Sequence, residues 1–576
     1  MWWCESTYKV GRHRALPETA AEAVEISAAR NEYEPFQLVL YPTVPLRNVV
    51  IRLDNWIKQG EEATLLSAHN LEVRLVEYVV VHAPSDPGGA AGLYPDPLLP
   101  LPQDLVLSPG QQQPLWITVY VPKTQPAGLY EGWIRVEAEG LSQILSIPVR
   151  LRVHDFTLPD VTHTRTLYEV ALPSRWHGPL NDAEHQRVWN LYMENFRRHR
   201  VSPQMPHRYA PIRWQWDTAD FVLDFQAFDR AMSEYVDDFG FNAFVFMDEP
   251  WTLLGAGRFE PQYNALLARL LSQIAAHLRQ KGWMEKAFTY WIDEPPDSLI
   301  PFVREGMQAH LVAAPDLKRL LTREPLPALY GLVDVWVPLA VISIFNQTAS
   351  RWWERMQAGE EVWWYVCTYP KWPVPNYFID HPAITHRIRA WLAERFGIQG
   401  DLYWDVNWYR DRKFQPVNPW TQTTVLDELG QPMGNGDGVL LYPPVREPPT
   451  APVVAGPIDS IRWELVREGL EDREYFWLLD QFQQRAMRQW GFDHPAIVAV
   501  AGVRTQALSV ALGLTNYSLD PRHLMAARGA LARAIETLQN PAPFWIEEPV
   551  SKVVEPGEPV ILRCESLGWP PPFITG

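Results

Sequence analysis

The sequence predicts an N-terminal antiparallel β-sandwich followed by a (β/α)8 barrel of the TIM type. Three observations support this fold class. Residues 1–159 hold short period-two segments, residues 160–485 alternate between strand-like and helix-like segments, and two acidic pairs each end a strand-like run. The chain has 576 residues, which is too long for one hydrophobic core. We therefore expect several domains.

The sandwich is predicted from alternation of apolar and polar residues. Turn residues such as Pro126-Ala127-Gly128 separate the alternating segments, and no long helical period interrupts them. Short strands of this kind are typical of an antiparallel β-sandwich. The predicted strands are residues 24–26, 36–40, 49–53, 71–81, 115–121, 133–136 and 144–153.

The barrel is predicted because strands that alternate with helices form parallel sheets, and eight such units close on themselves. The predicted strands are residues 166–172, 203–206, 243–247, 287–292, 311–314, 333–337, 362–367 and 402–406. Helices are predicted at residues 182–200, 225–239, 261–281, 349–358, 383–396 and 457–479. The last of these helices is dense in charge, and we expect its charged residues on a solvated face: Arg462, Glu464, Arg467, Glu471 and Asp472.

Residues 486–540 are predicted to form a helical extension, and residues 541–576 a linker with a partial immunoglobulin-like domain. The tail reads VSKVVEPGEPVILRC at residues 550–564, which resembles the opening strands of such a domain. On that interpretation the chain is a fragment of a larger, exported or surface-acting product. A bare proline-rich tail is the alternative, and a cytoplasmic location then follows.

Composition excludes some functions. The formal net charge of -17 argues against a nucleic acid partner, because phosphate binding needs a basic face. Three cysteines lie far apart, without metal-type spacing or a disulfide framework. No apolar run is long enough to span a membrane, and the first residues lack the pattern of a signal peptide. The oligomeric state is open.

Two tandem acidic pairs suggest catalysis. Asp248-Glu249 ends the third predicted barrel strand and Asp293-Glu294 ends the fourth. Barrel active sites lie at the C-terminal ends of the strands, so we expect both pairs to face one pocket. Paired carboxylates there are typical of a glycosidase. Capping of the following helix is the alternative for either pair.

Aromatic residues gather at other strand ends, where their rings would stack on sugars. The polar residues near them would bind sugar hydroxyls, with turn or capping roles as the alternative for Asn376, Asp405 and Asn407. The predicted substrate-binding residues are Asp248, Glu249, Trp336, Tyr365, Asn376, Trp404, Asp405 and Trp408.

Other chemistries lack their motifs. The sequence contains no Gly-x-Ser-x-Gly, no His-Glu-x-x-His and no glycine-rich phosphate loop after a strand. We therefore predict no cofactor and no metal. A non-enzymatic alternative is a carbohydrate-binding protein, although such a protein has no use for a paired acid on the floor of its cleft.

Several motifs together resemble glycoside hydrolase family 123 and its uncharacterised relatives over residues 2–485. These motifs are Trp2-Trp3 with Tyr8-Lys9-Val10, SAARNEYEPFQ at 27–37, Asp293-Glu294-Pro295, WWYVC at 363–367, Gly436-Asp437-Gly438 and SIRWELVREGLED at 460–472. Known members have a β-sandwich followed by a barrel and act as retaining exo-β-N-acetylgalactosaminidases on oligosaccharides or glycoconjugates.

The resemblance implies roles for the second acidic pair. Asp293 would orient the substrate's acetamido group, whose oxygen attacks the anomeric carbon. Glu294 would protonate the leaving oxygen and then deprotonate water, a role that needs a partly apolar site such as Trp291 and Tyr290 would supply. Asp248-Glu249 has no counterpart in the motif. In the alternative mechanism, one of its acids acts with Glu294 on a sugar without the acetamido group.

Overall fold

The computed structural model describes residues 1–19, 21–427 and 430–539, together with the backbones of Phe544–Glu547 and Glu565–Leu567. The side chains of residues 345–348 are not described. The predicted immunoglobulin-like segment lies outside the described residues, apart from the antiparallel pairing of those two short strands. No helix among the described residues is long and apolar enough to cross a membrane.

The N-terminal region is rich in β-sheet. One antiparallel sheet contains, in spatial order, Trp2–Glu5, Glu32–Leu40, Gln113–Val121, Leu71–Val81 and Gly92–Pro100. The second contains Val24–Arg30, Leu145–Thr157, Gly128–Glu139, Trp56–Lys58 and Glu61–Leu66, with Arg47–Leu53 also paired to Gly128–Glu139. The prediction of purely antiparallel pairing is wrong at one position, because Val24–Arg30 runs parallel to Leu145–Thr157.

The inner faces of the two sheets share one hydrophobic core. Phe36 and Ile117 of the first sheet belong to the same buried cluster as Tyr130, Val149 and Leu151 of the second. All five side chains are fully buried. Alternation along each strand places these residues on the inner face, which is why the period-two pattern was visible in the sequence.

The next region is a nearly closed barrel of seven parallel strands. In chain order its strands are Arg165–Tyr168, Phe244–Val245, Ala287–Thr289, Lys318–Leu321, Val335–Trp336, Glu361–Val366 and Gly400–Tyr403. The first strand pairs with the last, as a barrel requires. The helices of this region are Asp182–Arg198, Gln226–Met232, Pro261–Lys281, Ile300–Ala313, Ile342–Gln357 and Ala383–Phe396, and a π-helical turn at Ser233–Asp238 extends the second.

The predicted second strand, residues 203–206, is only an extended segment. The N–H of Gln204 donates to the carbonyl of Tyr168 at 2.8 Å, and the N–H of Val245 donates to the carbonyl of Gln204 at 2.8 Å. These bonds link the segment to the strand on each side of it, which brings the two edges of the seven-stranded sheet together.

The predicted strand at residues 311–314 is wrong. Those residues end the helix Ile300–Ala313, and the strand of this unit is Lys318–Leu321. A short apolar run does not distinguish a strand from the end of a helix. This shift moves the fifth strand end to Thr322.

The helix after the barrel is longer than predicted, Ile461–Trp490, and its charged face is buried. The expectation of a solvated face for Arg462, Glu464, Arg467, Glu471 and Asp472 is therefore wrong. Arg462 is 0% exposed and donates to both carboxylate oxygens of Asp96, a residue of the N-terminal sheets. The charges on this helix pair with residues from both regions of the chain.

The C-terminal helix Pro521–Gln539 adds to this buried charge network, and the short helices Pro495–Val500 and Val503–Ala507 precede it. The Arg528 guanidinium contacts Glu32, lies 2.9 Å from Glu34 and lies 3.2 Å from Asp472. Glu32 and Glu34 belong to the N-terminal sheets and Asp472 to the long helix. One side chain therefore joins three parts of the fold.

We expect Arg528→Gln to lower the free energy of unfolding by about 3–5 kcal/mol, because it leaves buried carboxylates without their cation. Urea unfolding followed by far-UV circular dichroism measures the change. Arg522→Gln on the same helix is the matched control, since Arg522 is exposed and its ion-pair partner among the described residues is Asp520. Equal unfolding midpoints for the two variants would contradict a structural role for Arg528.

Candidate active site

A cavity of about 460 Å³ opens at the C-terminal ends of the barrel strands. Four predicted site residues line it: Asp293, Glu294, Tyr365 and Trp404. The other lining residues are Glu169, Gln204, Tyr290, Trp291, Ile292, Thr322, Cys367, Thr368, Leu402 and Arg412. Carboxyl, hydroxyl and aromatic groups therefore converge on one space, in the place where barrel enzymes carry out their chemistry.

Asp293 is held through one of its two carboxylate oxygens. The Tyr290 hydroxyl donates to its Oδ1 at 2.6 Å, and the Thr322 hydroxyl donates to the same atom at 2.9 Å. Its Oδ2 has no protein partner within the described residues. Burial and the Asp293 charge raise the pKa of Tyr290 well above its usual value, so the phenol stays a donor. Asp293 thus has one fixed oxygen and one oxygen available to a ligand.

Glu294 is positioned by its backbone conformation. The strand ends at Thr289, so the alternation of side chains along a strand does not determine where the two acids point. Instead Glu294 has a φ of 39°, in the left-handed region. Strained backbone of this kind clusters at functional sites. The Tyr365 hydroxyl donates to the Glu294 carboxylate and fixes its direction.

Thr322 connects the two acids. Its Oγ1 accepts the N–H of Glu294 at 2.7 Å and donates to Asp293 Oδ1 at 2.9 Å. Thr322 is 3% exposed, so water does not compete strongly for these bonds. One hydroxyl therefore sets the backbone of one acid and the side chain of the other.

Trp404 forms an aromatic wall of the cavity and is itself fixed. Its indole N–H donates to Asp437 Oδ1 at 3.0 Å. Burial raises the pKa of Asp437 to about 6. Gly438 packs so closely that a Cβ there would lie 2.4 Å from the Trp404 ring, and its φ is 71°. Trp408 lies behind this wall, 5.5 Å from Trp404 between ring centroids, and does not line the cavity.

Glu169 was missed by the sequence analysis, although it directly follows the first barrel strand. It lines the cavity and pairs with Arg208. Burial raises the pKa of Glu169 to about 7, the Arg208 charge acts in the opposite direction, and the Asp248 charge raises it further. Its place one residue after a barrel strand was the signal that could have identified it.

The first acidic pair does not join the second in the cavity. The Glu249 carboxylate is 4% exposed, accepts the Tyr263 hydroxyl at 2.9 Å and contacts the His310 imidazole. Arg258 lies 3.7 Å away. Asp248 is exposed and does not line the cavity, although its charge acts on Glu169. The expectation that both pairs face one pocket is therefore wrong.

Three further predicted residues also lie elsewhere. Trp336 is fully buried in the core and its indole N–H donates to Glu360 at 2.6 Å. Asn376 is fully buried, and its amide donates to the carbonyls of Cys367 and Pro370 at 2.8 Å. Asp405 lines a separate cavity. Trp336 and Asn376 thus have structural surroundings instead of substrate contacts.

One group among the described residues has the donors of a metal site. His199, Asp459 and Glu464 offer ligand atoms within 4.8 Å of one another, far from the acidic pair in sequence. Arg74 pairs with Asp459, and Arg467 pairs with Glu464. Because guanidinium groups already neutralise both acids, this group belongs to the buried charge network of the long helix.

The fold and the acidic cavity together define a glycosidase-type barrel, and comparison with known proteins agrees. Residues 247–479 match the glycoside hydrolase 123 catalytic domain, and residues 4–138 match the glycoside hydrolase 123 N-terminal domain. The two matches together cover more than half of the chain. The chain belongs to glycoside hydrolase family 123. A search of curated proteins gave no match.

One solved structure has the same fold, and two others match this chain only weakly. A family 123 glycoside hydrolase from Clostridium perfringens, studied for glycolipid glycan hydrolysis, has a TM-score of 0.64 at 14% identity and covers 93% of this chain and 96% of its own. A Parabacteroides merdae β-glucuronidase has a TM-score of 0.25 at 13% identity, covering 66% of this chain and 53% of its own. A Thermotoga petrophila endo-β-1,4-mannanase has a TM-score of 0.29 at 11% identity, with coverages of 54% and 77%.

We expect Thr322→Val to lower kcat for an aryl β-glycoside by roughly 10- to 100-fold. The substitution removes the hydroxyl whose two hydrogen bonds hold Asp293 and Glu294 in position. Steady-state kinetics of the purified variant measures the loss. Thr322→Ser keeps the hydroxyl and is the matched control, with kcat close to that of the wild type. A Val variant as active as the Ser variant would contradict the bridging role of Thr322.

We expect Glu169 to titrate near neutral pH. Its raised pKa means that it is protonated below about pH 7 and charged above it. Difference infrared spectra of wild type and Glu169→Gln would isolate its carboxyl band across the pH range. Arg208→Gln removes a charge that lowers this pKa, so the midpoint should move upward. A midpoint at the unshifted value of 4.5 would show that burial does not control Glu169.

Proposed function

We propose that the protein is a retaining exo-β-N-acetylhexosaminidase, galactosaminidase-like, in which the substrate's own acetamido group is the nucleophile. The galacto configuration rests on the family resemblance. The observation that carries the proposal is the clamped pair: Thr322 and Tyr290 fix one oxygen of Asp293, the other oxygen is available, and Glu294 stands beside it in the same cavity.

In the first step Glu294 acts as the general acid. Its proton passes to the glycosidic oxygen as the bond from that oxygen to the anomeric carbon breaks. The acetamido oxygen attacks the same carbon and forms a cyclic oxazolinium ion. The free Oδ2 of Asp293 accepts the acetamido N–H and stabilises the positive charge that develops on the ring.

In the second step Glu294, now a carboxylate, acts as the general base. It takes a proton from water, and the water oxygen attacks the anomeric carbon while the bond to the acetamido oxygen breaks. Two displacements at one carbon return the original configuration, so the product is the retained hemiacetal. No covalent bond to the enzyme forms.

The remaining cavity groups have supporting roles. Tyr290 and Tyr365 keep their protons because burial and the neighbouring acids raise the pKa of each phenol, so both remain hydrogen-bond donors to the acids. The fixed indole of Trp404 would provide an apolar face for the sugar ring. Trp291 lines the cavity beside the pair and excludes water from one side.

The alternative with Asp248 or Glu249 as a second catalytic acid has less support. The Glu249 carboxylate is enclosed by Tyr263 and His310, and Asp248 does not line the cavity. A non-catalytic carbohydrate-binding role also has less support, because sugar binding does not require two acids held by one hydroxyl.

We expect Asp293→Asn to lower kcat/KM on an aryl 2-acetamido β-glycoside by about 100-fold or more, since the developing charge loses its carboxylate partner. The same variant should lose much less on the matching β-hexoside without the acetamido group, if the wild type cleaves that substrate at all. Equal losses on both substrates would favour an ordinary two-carboxylate mechanism.

Glu294→Gln is the companion variant in this panel. It keeps the shape of the side chain and its contact with Tyr365 but supplies no proton. Hydrolysis should fall to background, whereas binding of the 2-acetamido sugar, measured by calorimetry, should persist. Turnover at the wild-type rate would remove Glu294 from its assigned role.

A further inference from the structure

A second cavity of about 240 Å³ lies at the same end of the barrel. The chain segments after the first and last barrel strands form it. The lining residues that matter here are Ala171, Arg175, Asp405, Asn407, Tyr409 and Arg410.

The second cavity adjoins the active cavity. Trp404 lines the active cavity, and the next residue, Asp405, lines the second. In the same way, Glu169 lines the active cavity and Ala171, two residues later, lines the second. The Asn407 side chain ties the two segments together, because its amide donates to the Ala171 carbonyl at 2.7 Å. The two cavities therefore lie close together at this end of the barrel.

Unpaired cations distinguish this cavity. Arg175 and Arg410 are exposed, and neither forms an ion pair within the part of the chain that the structure describes. Arg410 is held over the Trp408 ring, with 4.4 Å between the guanidinium carbon and the ring centroid. Arg412, on the same loop, lines the active cavity. The rim of this cavity therefore carries positive charge in a chain whose formal net charge is -17.

Asp405 is the acid that lines this cavity, and it does not cancel the arginines. Burial and the charge of Glu169 raise the pKa of Asp405 well above its usual range, which favours the uncharged carboxyl. The Asn407 N–H and the charges of Arg410 and Arg208 act in the opposite direction without reversing this shift. One of its oxygens accepts the N–H of Asn407 at 2.7 Å. A protonated Asp405 is compatible with a nearby anion.

We propose that the second cavity is a subsite for an acidic sugar unit, in which Arg175 and Arg410 bind a carboxylate or sulfate group on the leaving part of the substrate. This inference rests on the proposed function, because it assumes that the terminal sugar occupies the active cavity. Arginine forms strong, charge-assisted hydrogen bonds with carboxylate and sulfate oxygens. The preferred substrate would then be a glycan with an anionic unit next to the terminal 2-acetamido sugar.

The test uses three disaccharides with the same terminal 2-acetamido β-hexose. The second unit is a neutral hexose, its uronic acid, or its 6-sulfate. We expect wild-type kcat/KM to be higher on one or both acidic substrates, and Arg410→Gln or Arg175→Gln to lower it by about tenfold there, the value of one charge-assisted hydrogen bond. Hydrolysis of the neutral disaccharide should change little. The uronate and sulfate arms identify which anion is recognised.

Arg488→Gln is the matched control, because Arg488 is an exposed arginine of the long helix that lines neither cavity. It should leave the selectivity between acidic and neutral substrates unchanged. A wild type without preference for either acidic substrate would overturn the proposal. So would a loss in the Arg410 and Arg175 variants that is equal on all three substrates, since that pattern indicates a structural role.

Calorimetry separates this proposal from the proposed function. Binding of the uncleaved acidic and neutral disaccharides to Glu294→Gln does not depend on turnover. Tighter binding of an acidic disaccharide that disappears in Glu294→Gln/Arg410→Gln supports the subsite even if the wild type hydrolyses no 2-acetamido substrate. Equal affinity for the three disaccharides overturns the subsite while leaving hydrolysis of aryl 2-acetamido glycosides untouched.

Discussion

The hydroxyl group of Thr322 is the interaction on which the account of this site depends. It accepts the N–H of Glu294 and donates to the carboxylate of Asp293, so two adjacent acids are held in one arrangement. Adjacent residues on a regular strand would point to opposite faces. The strand has already ended at Thr289, and the left-handed backbone of Glu294 allows both acids to reach one cavity.

The N-terminal sheets contribute to this site through buried charge. Arg462 binds Asp96 of those sheets and also donates to the Gly436 carbonyl at 2.8 Å. Gly436 precedes Asp437, which accepts the indole N–H of Trp404. Removing one partner from a buried pair is costly, because it leaves an uncompensated charge. The wall of the cavity thus depends on contacts that begin in another part of the chain.

The sequence predicted those features that local patterns determine. Helices Pro261–Lys281 and Ala383–Phe396 were placed correctly because a proline and a left-handed glycine mark their ends. It missed Thr322 because the apolar end of a helix resembled a strand. It misjudged Glu249 because that residue has the same local context as Glu294. One of the partners of Glu249, His310, lies 61 residues away. Only the tertiary structure distinguishes an enclosed acid from an available one.

Inhibition by the thiazoline analogue of the cyclic intermediate tests the central claim most directly. The account predicts competitive inhibition far tighter than that by the parent 2-acetamido sugar, because the analogue resembles the charged ring that Asp293 stabilises. In Asp293→Asn, the thiazoline should inhibit no more tightly than the parent 2-acetamido sugar. Weak inhibition by the thiazoline, together with covalent labelling of a carboxylate such as Glu169 by a 2-deoxy-2-fluoro glycoside, would contradict the account and identify an enzyme nucleophile instead.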